Sequence, residues 1–238
     1  MDVTTTTESA YIVLQIPASS PRIKELVIKF RDTRLAVLQA DPGSSLAQYE
    51  VESQLPDSIW HGRLAGNTKF LVCVQATDRT LPPEHLLLQG DWAGYAALRE
   101  RVSVEDYYLV PEQPVPEDPD IEIRWHLYDL YTVPAHRGRN VAKKLVAGCV
   151  AVVEGDLGMD DSYKIARLRL YANPSYSWLI KWYERFGFKE GGRVNLRQGF
   201  VASAMQDSVP KDTTSTRELW ERWERPFAYI MERVFEVA

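Results

Sequence analysis

The sequence predicts a mixed α/β (α+β) fold with a parallel pair of strands at the middle of its sheet. Two segments support this expectation. Residues 122–132 are a strand pattern, which is followed by a short basic loop and an amphipathic helix. Residues 166–172 then alternate apolar and polar side chains, as a half-buried strand does, before a second helical pattern. A strand, a crossover helix and another strand in this order form a parallel pair.

The first half of the chain predicts an edge strand, a long helix and two further strands. The helix is indicated by apolar residues at helical spacing after Pro21. The full expectations, in chain order, are a flexible polar lead over residues 1–10, a strand at Tyr11–Ile16, a helix from Pro21 to about Gln39, an irregular segment over 41–66 with a short helix around 46–53, strands at Lys69–Gln75 and Trp92–Arg101, and a proline-containing loop at 77–91.

Residues 111–120 hold four prolines and four acids, which excludes an internal strand or a helix. We expect an extended, exposed loop there, with a lid over a substrate as the alternative. The elements expected after it are a strand at Glu122–Thr132, a helix at Val141–Val153, a strand at Ala166–Ala172, a helix capped by Asn173 with Pro174 as its first residue and ended by Gly187, strands near 194–204 and 227–236, and a charged helix near 215–224.

Composition limits the class of protein. The chain has 238 residues, of which 45% are hydrophobic and 26% charged, so one large folded domain over residues 11–238, with insertions at 77–91 and 111–120, is expected. A net charge of -5 argues against a nucleic-acid partner. Cys73 and Cys149 lie among apolar residues and predict buried thiols without a metal site. We found no secretory signal or membrane-span pattern, so we expect a cytoplasmic protein without a membrane partner.

The most informative segment is Leu130–Leu145, LYTVPAHRGRNVAKKL, in which a basic loop leads from a strand into a helix. A helix that begins there points several unpaired backbone N–H groups, and the positive end of its dipole, at one spot. Arg137, Arg139, Lys143 and Lys144 add positive charge around it. The pattern predicts a site for a phosphate or pyrophosphate. It is neither a P-loop nor a dinucleotide fingerprint, because the required glycine spacing is missing.

Two motifs together resemble the GNAT superfamily of acyl-CoA-dependent N-acetyltransferases. They are VPAHRGRNVAKKL at residues 133–145 and WLIKWYERFGFKE at residues 178–190. In that family, Arg/Gln-x-x-Gly-x-Gly/Ala opens a helix, and a later helix ends in Tyr-Glu-Lys-x-Gly-Phe. The resemblance implies a mixed, mostly antiparallel central sheet with a splayed parallel strand pair, flanked by helices on both faces. Asn140 stands at the usual central glycine, and asparagine tolerates the positive φ that this position needs.

The resemblance also implies acetyl-CoA as the acyl donor; no metal is expected, because no Cys/His spacing resembles a metal site. Backbone N–H groups from Gly138 to Lys143 would bind its pyrophosphate, and the main chain of Leu130–Val133 would bind its pantetheine arm. Asn173 lies further from Tyr183 than the family's helix-start asparagine, whose place Tyr176 occupies. The implied cofactor-binding residues are Leu130, Tyr131, Thr132, Val133, Arg137, Gly138, Arg139, Asn140, Val141, Ala142, Lys143 and Asn173.

By the same resemblance, Tyr183 is the acid that protonates the leaving thiolate, with core packing as the alternative role. A main-chain N–H near Tyr131 or Thr132 would bind the oxyanion. Two residues are candidates for the base: His126 has the better intrinsic pKa for neutral pH, and Asp129 has the better position. A sheet histidine and a salt-bridged carboxylate are the structural alternatives. An amine that arrives neutral needs no base.

These observations predict an N-acetyltransferase that acetylates the primary amine of a small molecule. A protein or peptide acceptor is the first alternative, which the acidic segment 111–120 favours slightly. The second is a non-catalytic acyl-CoA-binding or interaction protein, which the unassigned base leaves open. The sequence is compatible with a monomer or a homodimer.

Overall fold

The computed structural model describes residues 10–45 and 47–237. The expected lead at 1–10 lies outside these residues, apart from Ala10. The strands are β1 (Ala10–Gln15), β2 (Thr68–Ala76), β3 (Asp91–Arg99), β4 (Glu122–Thr132), β5 (Ile165–Ala172), β6 (Lys189–Asn195) and β7 (Pro226–Glu236). The α-helices are α1 (Ile23–Ala40), α2 (Tyr49–Glu52), α3 (Asp57–Ala65), α4 (Pro83–Gln89), α5 (Val104–Tyr107), α6 (Val141–Leu157), α7 (Ser177–Glu184), α8 (Leu196–Ala202) and α9 (Arg217–Trp223).

The chain forms two compact units. The first contains the chain up to Ala97 together with Asp129–Cys149, and the second contains Leu98–Tyr128 and the chain from Val150 onward. Strands β3 and β4 and helix α6 pass from one unit to the other. Strand neighbours follow the order β1-β2-β3-β4 in the first unit and β3-β4-β5-β7-β6 in the second.

The strand pairings confirm the predicted mixed sheet. β1 runs antiparallel to β2, while β7 runs antiparallel to both β5 and β6. β4 and β5 are parallel, with Glu122 opposite Ile165 and Leu127 opposite Leu170. The helix between them, α6, is the crossover that a parallel pair requires.

In the first unit, α1 packs one apolar face into an aromatic core. Its buried side chains recur at helical spacing, and Phe30 contacts Phe70 at a ring-centroid distance of 4.5 Å and Trp60 at 5.7 Å. Helix α6 approaches β1 and β2 at Gly148, where an added Cβ would lie 3.0 Å from Val13. Arg34 is a charged residue on the buried face of α1, so it needs buried partners.

In the second unit, α8 and α9 form a small core of their own. It contains Leu196 and Phe200 from α8, Met205, and Trp223 from α9. The expected strand over 194–204 is therefore wrong beyond Asn195. The side chain of Asn195 accepts the N–H of Gln198, and the side chain of Gln198 accepts the N–H of Asn195, which is a capping box that starts α8.

Three other local predictions are corrected. The segment 41–66 contains α3, and the expected loop at 77–91 contains α4, which has Pro83 at its start. Asn173 does not cap a helix: its side chain accepts the N–H of Ser175 in a turn, and α7 begins at Ser177. Such a turn is possible because an asparagine side chain can accept a hydrogen bond from a backbone N–H in a turn as well as from one at the start of a helix.

The segment 111–120 is a loop, as predicted, but it is fixed to the sheet by Gln113 and by the carbonyl of Pro119, which accepts from Arg124 Nη1 on β4 at 2.7 Å. Gln113 is buried, and its Nε2 donates to Oε1 of Glu232 on β7 at 3.3 Å. An added Cβ at Gly191 on β6 would lie 3.1 Å from Gln113 Nε2. The four acids of this loop are not buried.

Candidate active site

The end of β4 departs from the regular sheet. The pairing of β4 with β5 ends at Leu127, whereas β4 itself continues to Thr132. Asp129 has a φ of +53°, which is the left-handed region and rare inside a strand for a residue other than glycine. Such a residue disrupts the strand locally and changes the direction of the next residues. The regular alternation of side chains in a strand therefore does not extend from His126 to Asp129.

Strand β3 supports this strand end at very close range. The N–H of Val133 donates to the carbonyl of Ala93 at 2.9 Å. At Gly94, an added Cβ would lie 2.4 Å from the carbonyl oxygen of Tyr131 and 2.9 Å from Val141 Cγ1. Only glycine fits there. The sequence contains a signal for this contact, because a glycine inside an apolar strand often marks a close approach of backbone.

The loop between β4 and α6 has the shape of an anion cradle. Gly138 and Asn140 have φ values of +77° and +61°, so the chain turns through the left-handed region twice within three residues. This confirms the expectation that Asn140 adopts the conformation of the glycine it replaces. The N–H of Lys144 donates to the carbonyl of Asn140, which closes the first turn of α6. The N–H groups of Val141, Ala142 and Lys143 precede that bond and have no acceptor within the helix.

The two arginines of the loop are held in different ways. Arg137 Nη2 donates to Oδ2 of Asp41 at 2.5 Å, and its guanidinium carbon lies 5.8 Å from the ring centroid of Tyr131. Arg139 Nη1 donates to the hydroxyl of Tyr11 at 3.0 Å. Both side chains, and those of Lys143 and Lys144, remain accessible to solvent. The first turn of α6 is therefore positively charged as well as rich in N–H donors.

Asp129 belongs to a buried network of ion pairs that the sequence did not predict. Its Oδ2 lies 2.6 Å from Arg34 Nη1. Arg34 also donates through Nε and Nη2 to Glu52, which accepts from Arg63 Nη1 at 3.2 Å. The side chains of Arg34, Glu52 and Arg63 are 2%, 0% and 8% exposed. The carboxylate of Asp129 is thus occupied by an arginine.

His126 lies inside the second unit. It is 1% exposed, and its Nε2 is 3.2 Å from Oγ of Ser203. Its ring centroid lies 4.6 Å from that of Tyr171. Burial, with added effects from the Arg169 and Arg99 charges, holds the pKa of His126 well below its usual value. The imidazole is therefore neutral at physiological pH.

Tyr183 lies on the inner side of α7. It is 6% exposed, and its ring packs edge-on against Trp182 at a centroid distance of 5.1 Å and against Phe188 at 5.8 Å. Gly187, with a φ of +81°, ends this helical segment as the sequence predicted, and the N–H of Phe188 returns to the carbonyl of Tyr183 at 3.3 Å.

The described residues also bear on metals, thiols and membranes. They contain no group of three or more His, Cys, Asp or Glu that could hold a metal ion. Both cysteines are free and buried, as predicted, and burial raises the pKa of Cys73 to about 11 and that of Cys149 to about 12. Within residues 10–45 and 47–237, every helix is too short or too polar to cross a membrane.

A strand end beyond its paired region, followed by two left-handed residues before a helix start, presents main-chain groups and positive charge that suit an anionic ligand. Residues 87–190 match the family model described as the acetyltransferase (GNAT) domain. This segment is therefore similar to the GNAT acetyltransferase domain. The match spans both motifs from which the resemblance was stated.

Comparison with whole proteins adds distant likenesses only. No curated protein matches the sequence significantly. The NAA60 structure from Arabidopsis thaliana in complex with acetyl-CoA is 12% identical, with a TM-score of 0.49, and the match covers 96% of this chain and 99% of that one. A GNAT-family acetyltransferase from Staphylococcus aureus Mu50 is 14% identical, with a TM-score of 0.47 and coverage of 94% and 99%.

Proposed function

We propose that this protein is an N-acetyltransferase that transfers the acetyl group of acetyl-CoA to the primary amine of a small molecule. The observation that carries the proposal is the end of β4 together with the loop into α6. There, a left-handed Asp129 ends the pairing with β5, and left-handed Gly138 and Asn140 form the cradle before the helix. This arrangement combines a strand end that can accept an extended ligand with a cradle for phosphate.

The cofactor would lie mainly on backbone. The main chain of Leu130–Val133 would hydrogen-bond the amides of the pantetheine arm, as a neighbouring strand does. The N–H groups from Gly138 to Lys143 would bind the pyrophosphate. The side chain of Asn173 is engaged with Ser175, so a cofactor contact from Asn173 would come from its remaining amide or main-chain groups.

The reaction requires an amine nucleophile, a site for the oxyanion and a proton for the leaving thiolate. We assign the oxyanion to a main-chain N–H near Tyr131 or Thr132, and the proton to the hydroxyl of Tyr183. Each of the two candidate bases is poorly placed to accept a proton from the amine, for a different reason. Asp129 is paired with Arg34, and His126 is neutral but buried. These contacts favour an amine that reaches the thioester already neutral, with its proton lost to solvent.

A peptide acceptor is the second candidate. The acids of the loop at 111–120 give this side of the second unit a local negative charge: they are Glu112, Glu117, Asp118 and Asp120. Such a patch attracts a basic peptide more strongly than a neutral amine, and the attraction weakens as ionic strength rises.

The experiment is an assay of free thiol released from acetyl-CoA with a panel of acceptors. The panel contains small primary amines, polyamines, amino acids and basic and acidic peptides. We expect saturable thiol release with one class of small primary amine, above the release without acceptor. Selective release with basic peptides, which salt suppresses, supports the second candidate. Binding of CoA without thiol release for any acceptor contradicts both and favours a non-catalytic acyl-CoA-binding protein.

A further inference from the structure

Four side chains of the first unit, two of them from the loop between β4 and α6, form one continuous hydrogen-bonded chain. Oδ2 of Asp91, at the start of β3, lies 3.1 Å from Nε2 of His136. Nδ1 of His136 lies 3.0 Å from the hydroxyl of Tyr11 on β1. That hydroxyl accepts from Nη1 of Arg139 at 3.0 Å. His136 is buried, and its ring packs edge-on against Tyr11, with the centroids 5.7 Å apart.

The direction of each hydrogen bond follows from the donors available. Arg139 has no acceptor, so the hydroxyl of Tyr11 must accept from it. The single hydroxyl proton of Tyr11 is then free to donate to Nδ1 of His136. The ring tautomer with its hydrogen on Nε2 completes the chain, because that N–H can donate to the carboxylate of Asp91. The order Asp91, His136, Tyr11, Arg139 therefore fixes the position of the Arg139 guanidinium.

The chain ends on a side chain that belongs to the exposed loop. Arg139 lies between Gly138 and Asn140, the two left-handed residues of the cradle, and it is exposed. It uses Nη1 on Tyr11 and has further N–H groups for a ligand. Arg137, by contrast, is bonded to Asp41 and to the carbonyl of Thr132. The two loop arginines are therefore not equivalent.

We propose that Tyr11 and His136 are positioning residues that hold Arg139 ready to contact a phosphate group of the cofactor. This inference rests on the proposed function and adds to it the residues that orient the cationic contact. A long, exposed arginine loses side-chain freedom when it binds a phosphate, and an arginine already fixed by Tyr11 loses less. Tyr11 and His136 therefore strengthen cofactor binding without contacting the cofactor themselves.

The test is a comparison of Tyr11→Phe with the wild-type protein. The substitution keeps the ring that packs on His136 and removes only the hydroxyl. We expect KM and Kd for acetyl-CoA to rise by roughly three- to tenfold, with kcat nearly unchanged, because one fixed side chain becomes free. Tyr163→Phe is the matched control: its hydroxyl also accepts from an exposed arginine, Arg101, at 2.8 Å, but in the second unit. It should leave both constants unchanged.

A double-variant cycle separates positioning from general damage. If Tyr11 acts through Arg139, then Tyr11→Phe in an Arg139→Ala background should add no further loss of affinity. Additive losses overturn the proposal. Binding of 3′-dephospho-CoA identifies the phosphate: a Tyr11→Phe effect that disappears with this probe assigns Arg139 to the 3′-phosphate, and a persisting effect assigns it to the pyrophosphate.

The outcomes distinguish this inference from the function on which it rests. If the wild-type protein binds no CoA by calorimetry, the proposed function fails and the inference fails with it. If the wild-type protein binds CoA and Tyr11→Phe binds it equally well, only the inference is overturned. A fall in kcat with unchanged KM also contradicts it, because positioning of a phosphate contact acts on binding.

Discussion

Replacing Arg34 by methionine will lower the free energy of unfolding by about 3–5 kcal/mol. The guanidinium is 2% exposed and holds two carboxylates, Glu52 through two nitrogens and Asp129 through a third. Methionine is similar in length and keeps most of the packing. It removes the guanidinium from both carboxylates, although Glu52 keeps its contact with Arg63. An uncompensated buried charge is among the most costly defects in a folded protein.

The same network predicts how the effect depends on pH. Burial raises the pKa of Glu52, but hydrogen bonds and charge from Arg34 and then Arg63 more than offset this, so the pKa lies below its usual value. A lowered carboxyl pKa stabilises the fold above the usual pKa, about 4.3 for glutamate, and this stabilisation is lost as the pH falls through the lowered value. We therefore expect the difference in the free energy of unfolding between wild type and Arg34→Met to be smaller at acid pH than at pH 7.

Denaturant unfolding at pH 7 and at acid pH measures both effects. Arg31→Met is the matched control, because Arg31 lies on the same helix and forms exposed ion pairs with Asp32 and Asp57. Such pairs contribute about 0–1 kcal/mol, so this control should unfold almost as the wild type does. If Arg34→Met and Arg31→Met lower the free energy of unfolding by the same small amount, the buried network does not stabilise the fold.

Replacing Tyr183 by phenylalanine will lower turnover by roughly one to three orders of magnitude. The expected cause is loss of the hydroxyl that donates a proton to the departing CoA thiolate. The phenylalanine ring keeps the edge-on contacts with Trp182 and Phe188. The fold and the affinity for CoA should therefore change little, so the loss should fall on kcat.

Thiol-release kinetics and calorimetry together check this prediction. Tyr163→Phe serves again as the control for loss of a tyrosine hydroxyl in the second unit. Unchanged turnover in Tyr183→Phe would reassign Tyr183 to core packing. A matching fall in stability and turnover would also count against the acid role, because the loss would then come from the fold.

The central part of the fold could be predicted because its signals are local and agree with one another. Strand β4 has the predicted bounds, α6 starts at the predicted Val141, and Gly187 ends the α7 segment in the left-handed region. Asn140 was predicted to replace a glycine because asparagine tolerates positive φ, and it does. These features depend on strand pattern, loop chemistry and helix capping, which a single sequence carries.

Other predictions were wrong where two local structures compete for the same residues, or where the contact that decides the structure involves residues distant in sequence. Asn173 forms a turn in place of a helix cap, and the Asn195–Gln198 capping box starts a helix inside an expected strand. Asp129 takes the left-handed conformation inside a strand, and its ion-pair partner, Arg34, is far away in sequence. Sequence spacing contains no information on such a contact, so neither the irregular strand end nor the buried network could be derived from it.

The chain that positions Arg139 was missed for the same reason. Tyr11 was predicted only as part of an edge strand, because its partners His136 and Arg139 lie far away in sequence. Gly94 differs from them. Its position in an apolar strand was a visible signal of close approach, and the carbonyl of Tyr131 is what it approaches.

The proposed function depends on the end of β4 and the loop into α6 as the site of coenzyme A. A crystal structure of the protein with acetyl-CoA tests this most directly. We predict the pantetheine arm along the main chain of Leu130–Val133, and the pyrophosphate on N–H groups between Gly138 and Lys143. Acetyl-CoA bound elsewhere on the protein, with this loop free of ligand, would contradict the proposal.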